Sequence, residues 1–187
     1  MTRKSCLVPG RDINRLILFR PGVRQGTPIH REEDSVPRIV NVLDHPGGLE
    51  PAVAYIHRQW GNEGNHAFYF DCARHSSRGP SGLPRFYVLM EGQAIIGCCA
   101  LLVNDLISRQ DLWPWLGCLY VDPEWRGRRL SEALMDHARA EAHRAGFCEL
   151  FLSTTHEGLY EKFGWTRLAD GYNSSGERFG IYRIATT

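Results

Sequence analysis

The sequence predicts an α/β (α+β) fold in which a mixed sheet packs against helices. Over residues 115–153 an apolar run, a helical pattern and a second apolar run follow one another, which indicates two parallel strands joined by a crossover helix. Two further apolar runs, separated by a short polar turn at residues 91–93, indicate a hairpin before this unit. Because another strand-like run lies near the C-terminus, we expect both parallel and antiparallel neighbours in the sheet.

Hydrophobic spacing, together with Gly and Pro breaks, places the individual elements along the chain. The predicted strands are residues 38–43, 85–90, 94–103, 115–121, 148–153 and 179–184. The predicted helices are residues 49–60, 67–73, 130–145 and 158–163. The third helix is the clearest, because Leu130, Leu134 and Ala138 lie on one face of it. Gly146 then follows at the expected C-terminal stop.

The chain divides into two predicted parts of different composition. Residues 1–28 contain six Arg or Lys side chains against a single acid, Asp12, and are interrupted by Pro and Gly. We therefore predict a poorly ordered N-terminal extension over residues 1–35, with an organelle-targeting leader as the less favoured interpretation. Residues 36–187 are predicted to form a single domain, because a chain of this length suffices for one good core and is short for two.

Composition and charge argue against several classes of protein. The chain has 22 Lys and Arg against 21 Asp and Glu, a net charge of +1, which argues against a nucleic-acid partner. No apolar run approaches the roughly 18 residues of a membrane span, so no membrane partner is expected. The six cysteines lack C-x-x-C spacing and the eight histidines are scattered, which disfavours a metal site and favours the reducing, cytoplasmic compartment.

The stretch YVDPEWRGRRLSEAL, residues 120–134, concentrates positive charge at the start of the third predicted helix. A helix N-terminus already carries unpaired N–H groups and a partial positive charge. Arg126, Arg128 and Arg129 add three cations there, which creates repulsion unless an anion binds. A solvated basic surface is the ordinary alternative, but the strand–turn–helix context favours an anion site with main-chain donors.

Two segments carry a resemblance to a known family. VDPEWRGRRLSEAL followed by GLYEKFGW resembles the GCN5-related N-acetyltransferases (GNAT), whose R/Q-x-x-G-x-G/A signature receives the pyrophosphate of acetyl-CoA. Arg126 matches the first position, Arg129 stands where the first glycine is usual, and Ser131 is a small residue at the last position. The resemblance extends over residues 36–187, most closely from residue 85 onward. It implies a mostly antiparallel central sheet, helices on both faces and a splayed parallel strand pair at the cofactor site.

The resemblance also implies the cofactor, acetyl-CoA, and the residues that bind it. The backbone of the turn would hold the pyrophosphate, and the strand edge before the turn would pair with the pantetheine arm. The implied cofactor-binding residues are Leu119, Tyr120, Val121, Arg126, Gly127, Arg128, Arg129, Leu130 and Ser131. Because Arg129 replaces a glycine that lets the backbone approach phosphate, its side chain either points outward or weakens the site.

Catalytic roles follow from the same resemblance and from the chemistry of acyl transfer. Tyr160 is the implied general acid for the thiolate leaving group, and a tyrosine with a pKa of about 10 keeps its proton at rest. The strand before the turn contains no acid, so His156 is a tentative base, with Glu63 and Glu157 poorer candidates and a water relay an equal alternative. An acyl intermediate on Cys118 is disfavoured, because no base is evident beside it.

The sequence therefore predicts an acetyl-CoA-dependent N-acetyltransferase that acts on a primary amine of a small molecule, by direct attack in a ternary complex. Predicted loops at 60–66, 104–114 and 169–178 would shape the acceptor pocket. Acids in the predicted loops are either ordinary solvated side chains or a means of attracting a cationic amine: Asp105, Asp111, Asp170 and Glu177. A homodimer is compatible with the sequence. The alternatives are a CoA-binding module that has lost catalysis and, less favoured, a nucleic-acid-binding protein that uses the arginine turn.

Overall fold

The structure is a computed structural model that describes residues 36–79 and 82–187. The N-terminal extension predicted for residues 1–35 lies outside the described residues. The strands of the described part are β1 (Arg38–Asn41), β2 (Arg85–Glu91), β3 (Ala94–Leu102), β4 (Trp115–Val121), β5 (Glu149–Thr154), β6 (Thr166–Tyr172) and β7 (Arg178–Ala185). They form one seven-stranded sheet in the order β1-β2-β3-β4-β5-β7-β6.

Neighbouring strands of this sheet run antiparallel except for β4 and β5, which are parallel. The α-helices of the described residues are α1 (Leu49–Trp60), α2 (His66–Arg74) and α3 (Leu130–Arg144). The crossover from β4 to β5 contains α3, as the strand–helix–strand pattern predicted. The mixed, mostly antiparallel sheet is therefore confirmed. None of these three helices is long and apolar enough to cross a membrane.

Helices cover both faces of the sheet because side chains alternate along its strands. On β2, Tyr87 and Leu89 are buried in the core that contains Leu134 of α3. The alternate residue Val88 is buried in a second core, which contains Ile56 of α1 and residues of α2. Fully burying one Leu, Ile or Val side chain stabilises the fold by roughly 1.5–3 kcal/mol, so each core holds its helices firmly to the sheet.

The structure changes two element assignments made from the sequence. The strand predicted at 38–43 ends at Asn41, because the Asn41 side chain accepts a backbone N–H two residues further on, at 3.0 Å, and starts a 3-10 turn. The short helix predicted at 158–163 is a 3-10 turn, Tyr160–Phe163. Both differences arise from local hydrogen bonds that hydrophobic spacing does not encode.

The prediction of a loop at residues 169–178 was wrong for residues 169–172. β6 extends to Tyr172 and pairs with β7 along the edge of the sheet. Its sequence TRLADGY lacks the apolar alternation of a half-buried strand, and most of its side chains are exposed or half-buried. An edge strand with little buried surface gives little hydrophobic signal, which explains why the sequence did not predict it.

Candidate active site

β4 and β5 separate towards their C-terminal ends. Within the described residues their pairing is confined to Trp115 and Phe151, and the N–H of Phe151 donates to the Pro114 carbonyl at 3.0 Å. On their outer sides β4 pairs with β3 and β5 pairs with β7. The facing edges of β4 and β5 are therefore open beyond this point, and the splayed parallel pair is confirmed.

A bulge in β4 lies inside this splay. Two residues, Cys118 and Leu119, lie opposite the single residue Cys99 of β3. Cys118 has a φ of 52°, and its carbonyl accepts the Cys98 thiol at 3.2 Å. Burial, and then the charge of Asp105, raises the pKa of the Cys118 thiol far above its usual range, so this thiol is a poor nucleophile. The bulge redirects the part of β4 that follows it.

After the bulge, backbone groups of Leu119 and Val121 point into the splay. The N–H of Asp122 donates to the Ile96 carbonyl of β3 at 2.9 Å, and hydrogen-bonding direction alternates from residue to residue along a strand. Val121 therefore faces the other way, and its carbonyl accepts Arg126 Nε at 3.0 Å. Leu119, two residues earlier, shares that direction. This part of β4 is an edge that an extended ligand can pair with.

The turn between β4 and α3 presents main-chain N–H groups at the surface. Residues 126–129 are exposed, and a Cβ on Gly127, whose φ is 78°, would meet no atom within 4 Å. The first amides of α3, from Leu130 onward, have no partner within the helix. The first turn of α3 is closed by a hydrogen bond from the Ala133 N–H to the Arg129 carbonyl, at 3.1 Å. The turn thus offers the open donors that an anion site requires.

Arg129 occupies a backbone conformation that favours glycine. Its φ of 59° and ψ of 20° lie in the left-handed region, directly before α3. Its guanidinium pairs with Glu132, with Nε 2.5 Å from Oε2, and the side chain is 81% exposed. Of the two outcomes considered for this position, the side chain points outward, and the main chain follows the path that a glycine would allow.

The other two arginines of the turn lie over aromatic rings. The Arg126 guanidinium is 5.6 Å from the Tyr120 ring centroid, and the Arg128 guanidinium is 4.6 Å from the Trp125 ring centroid. Each contact is of cation–π type, which contributes about 0.5–1 kcal/mol at an exposed site. These contacts hold two cations close to the open amides of the turn.

Tyr160 stands beside the C-terminal end of β5. Its ring is partly buried, with its centroid 6.3 Å from that of Trp165 and 6.1 Å from that of Tyr182. Burial raises the pKa of the Tyr160 hydroxyl, the charge of Asp105 raises it further, and the Thr154 side chain lowers it. A hydroxyl in this setting is protonated at neutral pH and can act as a proton donor.

The bases considered from the sequence lie at the surface. The His156 ring is exposed and lines a shallow depression together with Glu157 and Arg167. The His156 backbone N–H donates to Thr154 Oγ1 at 3.0 Å, which fixes the chain just after β5. Glu63 is likewise exposed, in the loop between α1 and α2.

Asp105 is the residue that sequence reasoning undervalued. Its carboxylate lies between β4 and β5, where it accepts Ser153 Oγ at 2.9 Å, and a Cβ on Gly117 would lie 2.7 Å from it. Burial raises the pKa of Asp105 to about 6. Asp111, another acid of the same loop, is instead exposed and paired with Arg109 at 2.6 Å. The sequence offered no signal that distinguishes these two acids, because the difference lies in what packs around each.

A family model described as an acetyltransferase (GNAT) domain matches residues 83–167. That segment runs from just before β2 to the start of β6, and it contains the splay, the turn and Tyr160. This part of the chain is therefore similar to the acetyltransferase domain of the GNAT family. Comparison with curated protein sequences finds no match.

Solved structures show the same fold at low sequence identity. An aminoglycoside 6′-N-acetyltransferase complexed with coenzyme A matches with a TM-score of 0.61 and 12% identity, over 80% of this chain and 97% of that one. A ribosomal-protein-S18-alanine N-acetyltransferase from Escherichia coli matches with a TM-score of 0.56 and 16% identity, over 81% and 95%. A GNAT-family acetyltransferase from Staphylococcus aureus Mu50 matches with a TM-score of 0.55 and 12% identity, over 81% and 100%. At these identities the likeness establishes the GNAT fold.

Proposed function

We propose that this protein is an acetyl-CoA-dependent N-acetyltransferase of the GNAT family that transfers the acetyl group to a primary amine by direct attack in a ternary complex. The observation that carries the proposal is the splay of β4 and β5, which opens a strand edge next to the donor-rich turn before α3. An extended ligand with a phosphate group at one end fits a strand edge that leads to an anion site.

The residues present fit coenzyme A. In this proposal the amides of residues 126–131 hold the diphosphate, and Arg126 and Arg128 contribute charge beside it. The edge of β4 at Leu119 and Val121 pairs with the amide groups of the pantetheine arm. The solved aminoglycoside 6′-N-acetyltransferase of the same fold is complexed with coenzyme A, which supports this assignment.

Bound acetyl-CoA supplies an acetyl thioester, and this chain supplies the other needs of the transfer. Negative charge that develops on the thioester oxygen meets the Leu119 N–H, which points into the splay. Tyr160 provides the proton for the departing sulfur, because its pKa is raised and its hydroxyl is protonated at rest. His156 and a water relay are the bases that the sequence offers for the amine proton.

The proposed acceptor is a primary amine of a small molecule. The loop after β3 is tied to the end of β6, because Ile107 and Asn173 form a β-bridge and the Ser108 N–H donates to the Tyr172 carbonyl at 2.8 Å. A loop fastened in this way favours a compact pocket over an open groove for a long peptide. Among the structural neighbours, one is named for an aminoglycoside and another for a ribosomal-protein alanine, so both classes belong in the test.

A CoA-binding module without catalysis is the second candidate. The observation in its favour is that β4, with the sequence WLGCLYV, contains no carboxylate. The other reason to consider it, Arg129 in place of a glycine, loses weight because the side chain points outward.

The decisive experiment measures binding and turnover separately. Isothermal titration calorimetry with coenzyme A tests the turn, and release of free thiol from acetyl-CoA tests transfer to a panel of small primary amines and N-terminal alanine peptides. We expect binding together with amine-dependent thiol release, which is largest for a small amine. Binding without release to any acceptor would favour the inactive module, and absence of binding would overturn the proposed function.

A further inference from the structure

The carboxylate of Asp105 occupies the vertex of the splay. Gly117 follows the paired residue Trp115 by two positions in β4, and Ser153 follows the paired residue Phe151 by two positions in β5. Asp105 contacts both: Ser153 Oγ donates to Oδ2 at 2.9 Å, and a Cβ added to Gly117 would come within 2.7 Å of Oδ1. The absence of a side chain at Gly117 thus makes room for this carboxylate, at the place where the two strands part.

This vertex lies on the sheet face that carries α1 and α2. Alternate residues of a strand share a face, so Gly117 and Ser153 lie on the side of Trp115 and Phe151, which pack in a core of their own. Leu116, the residue between, packs in the core beneath α3 on the opposite side. Asp105 is therefore positioned to meet a ligand that enters from the α1–α2 side.

The loop that carries Asp105 is held in place on both sides of it. Asn104 Oδ1 accepts the Ile107 N–H at 3.1 Å, and Asn104 Nδ2 donates to the Ile107 carbonyl at 3.2 Å. Leu106, directly after Asp105, has a φ of 55° and is 72% exposed. A left-handed leucine costs about 1–2 kcal/mol, and it persists only where the surrounding contacts determine it. The strained residue orients its neighbour towards the sheet.

The surroundings of Asp105 carry no compensating charge in the described part of the chain. The groups that face it are Ser153 of β5, Tyr69 of α2, Cys118 of β4 and Tyr160 of the 3-10 turn. Burial raises the pKa of Tyr69, Cys118 and Tyr160, so all three are neutral at pH 7. Burial likewise raises the pKa of Asp105 to about 6, and the hydrogen bond from Ser153 lowers it. A desolvated carboxylate without a cation beside it attracts one.

We infer that Asp105 receives the amino group of the acceptor at the vertex of the splay and takes its proton during acetyl transfer. This inference rests on the proposed function and assigns the base within it. It places a carboxylate from the β3–β4 loop in the role for which the sequence offered His156.

The protons and electrons of the transfer balance when Asp105 accepts one proton and Tyr160 donates another. The lone pair of the neutral amine forms a bond to the thioester carbon, and the carbonyl electrons move to oxygen, facing the Leu119 N–H. The nitrogen then gives one proton to the Asp105 carboxylate. As the oxygen electrons return, the carbon–sulfur bond breaks and sulfur takes the Tyr160 proton. Water carries the proton from Asp105 back to the Tyr160 oxygen, which leaves an amide and a free thiol.

The test compares Asp105→Asn with Asp111→Asn, which is the same substitution at an exposed acid of the same loop. With the best acceptor of the amine panel, kcat/KM of the wild type should rise with pH through about 6, as Asp105 ionises. This rise is the acidic limb of the pH profile. Asp105→Asn should lower kcat/KM at pH 7 by about 100-fold or more and abolish the limb. Asp111→Asn should keep both the limb and the rate within about twofold, and coenzyme A affinity should be unchanged in both variants.

If Asp105→Asn does not fold, a second variant, Ser153→Ala, tests whether Asp105 is the base. Because the serine hydrogen bond lowers the pKa of Asp105, its removal should move the rising limb to higher pH. A merely structural role for Asp105 would leave the limb in place. The inference is overturned if Asp105→Asn retains the limb, if Ser153→Ala leaves it unmoved, or if His156→Ala is the substitution that removes it. Wild-type protein without any amine-dependent turnover would instead overturn the proposed function.

Discussion

The turn before α3 and the vertex of the splay handle charge in opposite ways. The turn is exposed, its donors are main-chain amides, and its arginines rest on neighbouring side chains. The vertex holds a single carboxylate, that of Asp105, which is buried and accepts a hydrogen bond from Ser153. A site made of main-chain donors tolerates changes of side chain, as Arg129 in place of a glycine illustrates. A site made of one desolvated side chain does not, so substitutions at the vertex should have larger effects than those at the turn.

The largest effect is expected at Tyr160, beside the C-terminal end of β5. Tyr160→Phe should lower kcat by about 100-fold or more, because the departing sulfur loses its proton donor. Coenzyme A affinity should stay within about twofold, since the ring packing against Trp165 and Tyr182 is retained. Stopped-flow detection of the free thiol and calorimetry measure the two quantities.

The matched control for that variant is Tyr182→Phe, which removes a hydroxyl bonded to Glu161 at 3.0 Å on the same side of the sheet. Its kcat should remain close to that of the wild type. Equal rates for Tyr160→Phe and the wild type across pH would remove Tyr160 from the role of general acid.

The vertex should also affect stability in a pH-dependent way. The pKa of Asp105 is about 6 in the folded protein and about 3.9 in an unfolded chain, so wild-type stability falls as pH rises between these values. Asp105→Asn has no such loss and should therefore be more stable than the wild type above pH 6, by at most about 3 kcal/mol, and equally stable below pH 4. Urea unfolding at pH 4 and pH 8 measures this difference.

Asp111→Asn again serves as the control for this stability measurement. The hydrogen bond from Arg109 lowers the pKa of Asp111 to about 2, so its substitution should not stabilise the protein as pH rises. An Asp105→Asn variant whose stability relative to wild type is the same at both pH values would show that Asp105 is not desolvated.

At the turn, Arg126→Ala should weaken coenzyme A binding by about tenfold, the loss expected when one charge-assisted contact to a phosphate is removed. The dependence of the dissociation constant on salt should decrease at the same time. Arg74→Ala, which removes the same charge from the exposed end of α2, controls for the change in net charge. Equal weakening by both substitutions would mean that only the overall field of the protein matters.

The smallest effect is expected at Arg129. Arg129→Gly relieves a left-handed conformation that costs about 1–2 kcal/mol and gives up an exposed ion pair that contributes about 0–1 kcal/mol. Thermal stability should therefore be equal or slightly higher, and coenzyme A affinity should change by no more than about twofold. An affinity loss greater than about fivefold, measured by calorimetry, would mean that the Arg129 guanidinium contacts the cofactor.

The prediction from sequence succeeded where a local pattern and the tertiary fold impose the same demand. The helix predicted at 130–145 and the strand predicted at 115–121 correspond to α3 and β4, because both are buried on a face that hydrophobic spacing marks. β6 was not predicted, because its side chains bury little apolar surface. The turn was found because arginines at a helix N-terminus are unusual in any context.

The sequence by itself determined the mixed sheet, the crossover through α3 and the position of the arginine turn, since each depends on residues that are close together in the chain. Only the tertiary structure decided where Asp105 lies. Its carboxylate meets Gly117 and Ser153, 12 and 48 positions further along the chain, and the desolvation that shifts its pKa comes from all the elements packed around it. Burial is a property of the assembled fold, so one loop acid became a desolvated group while Asp111 remained a surface charge.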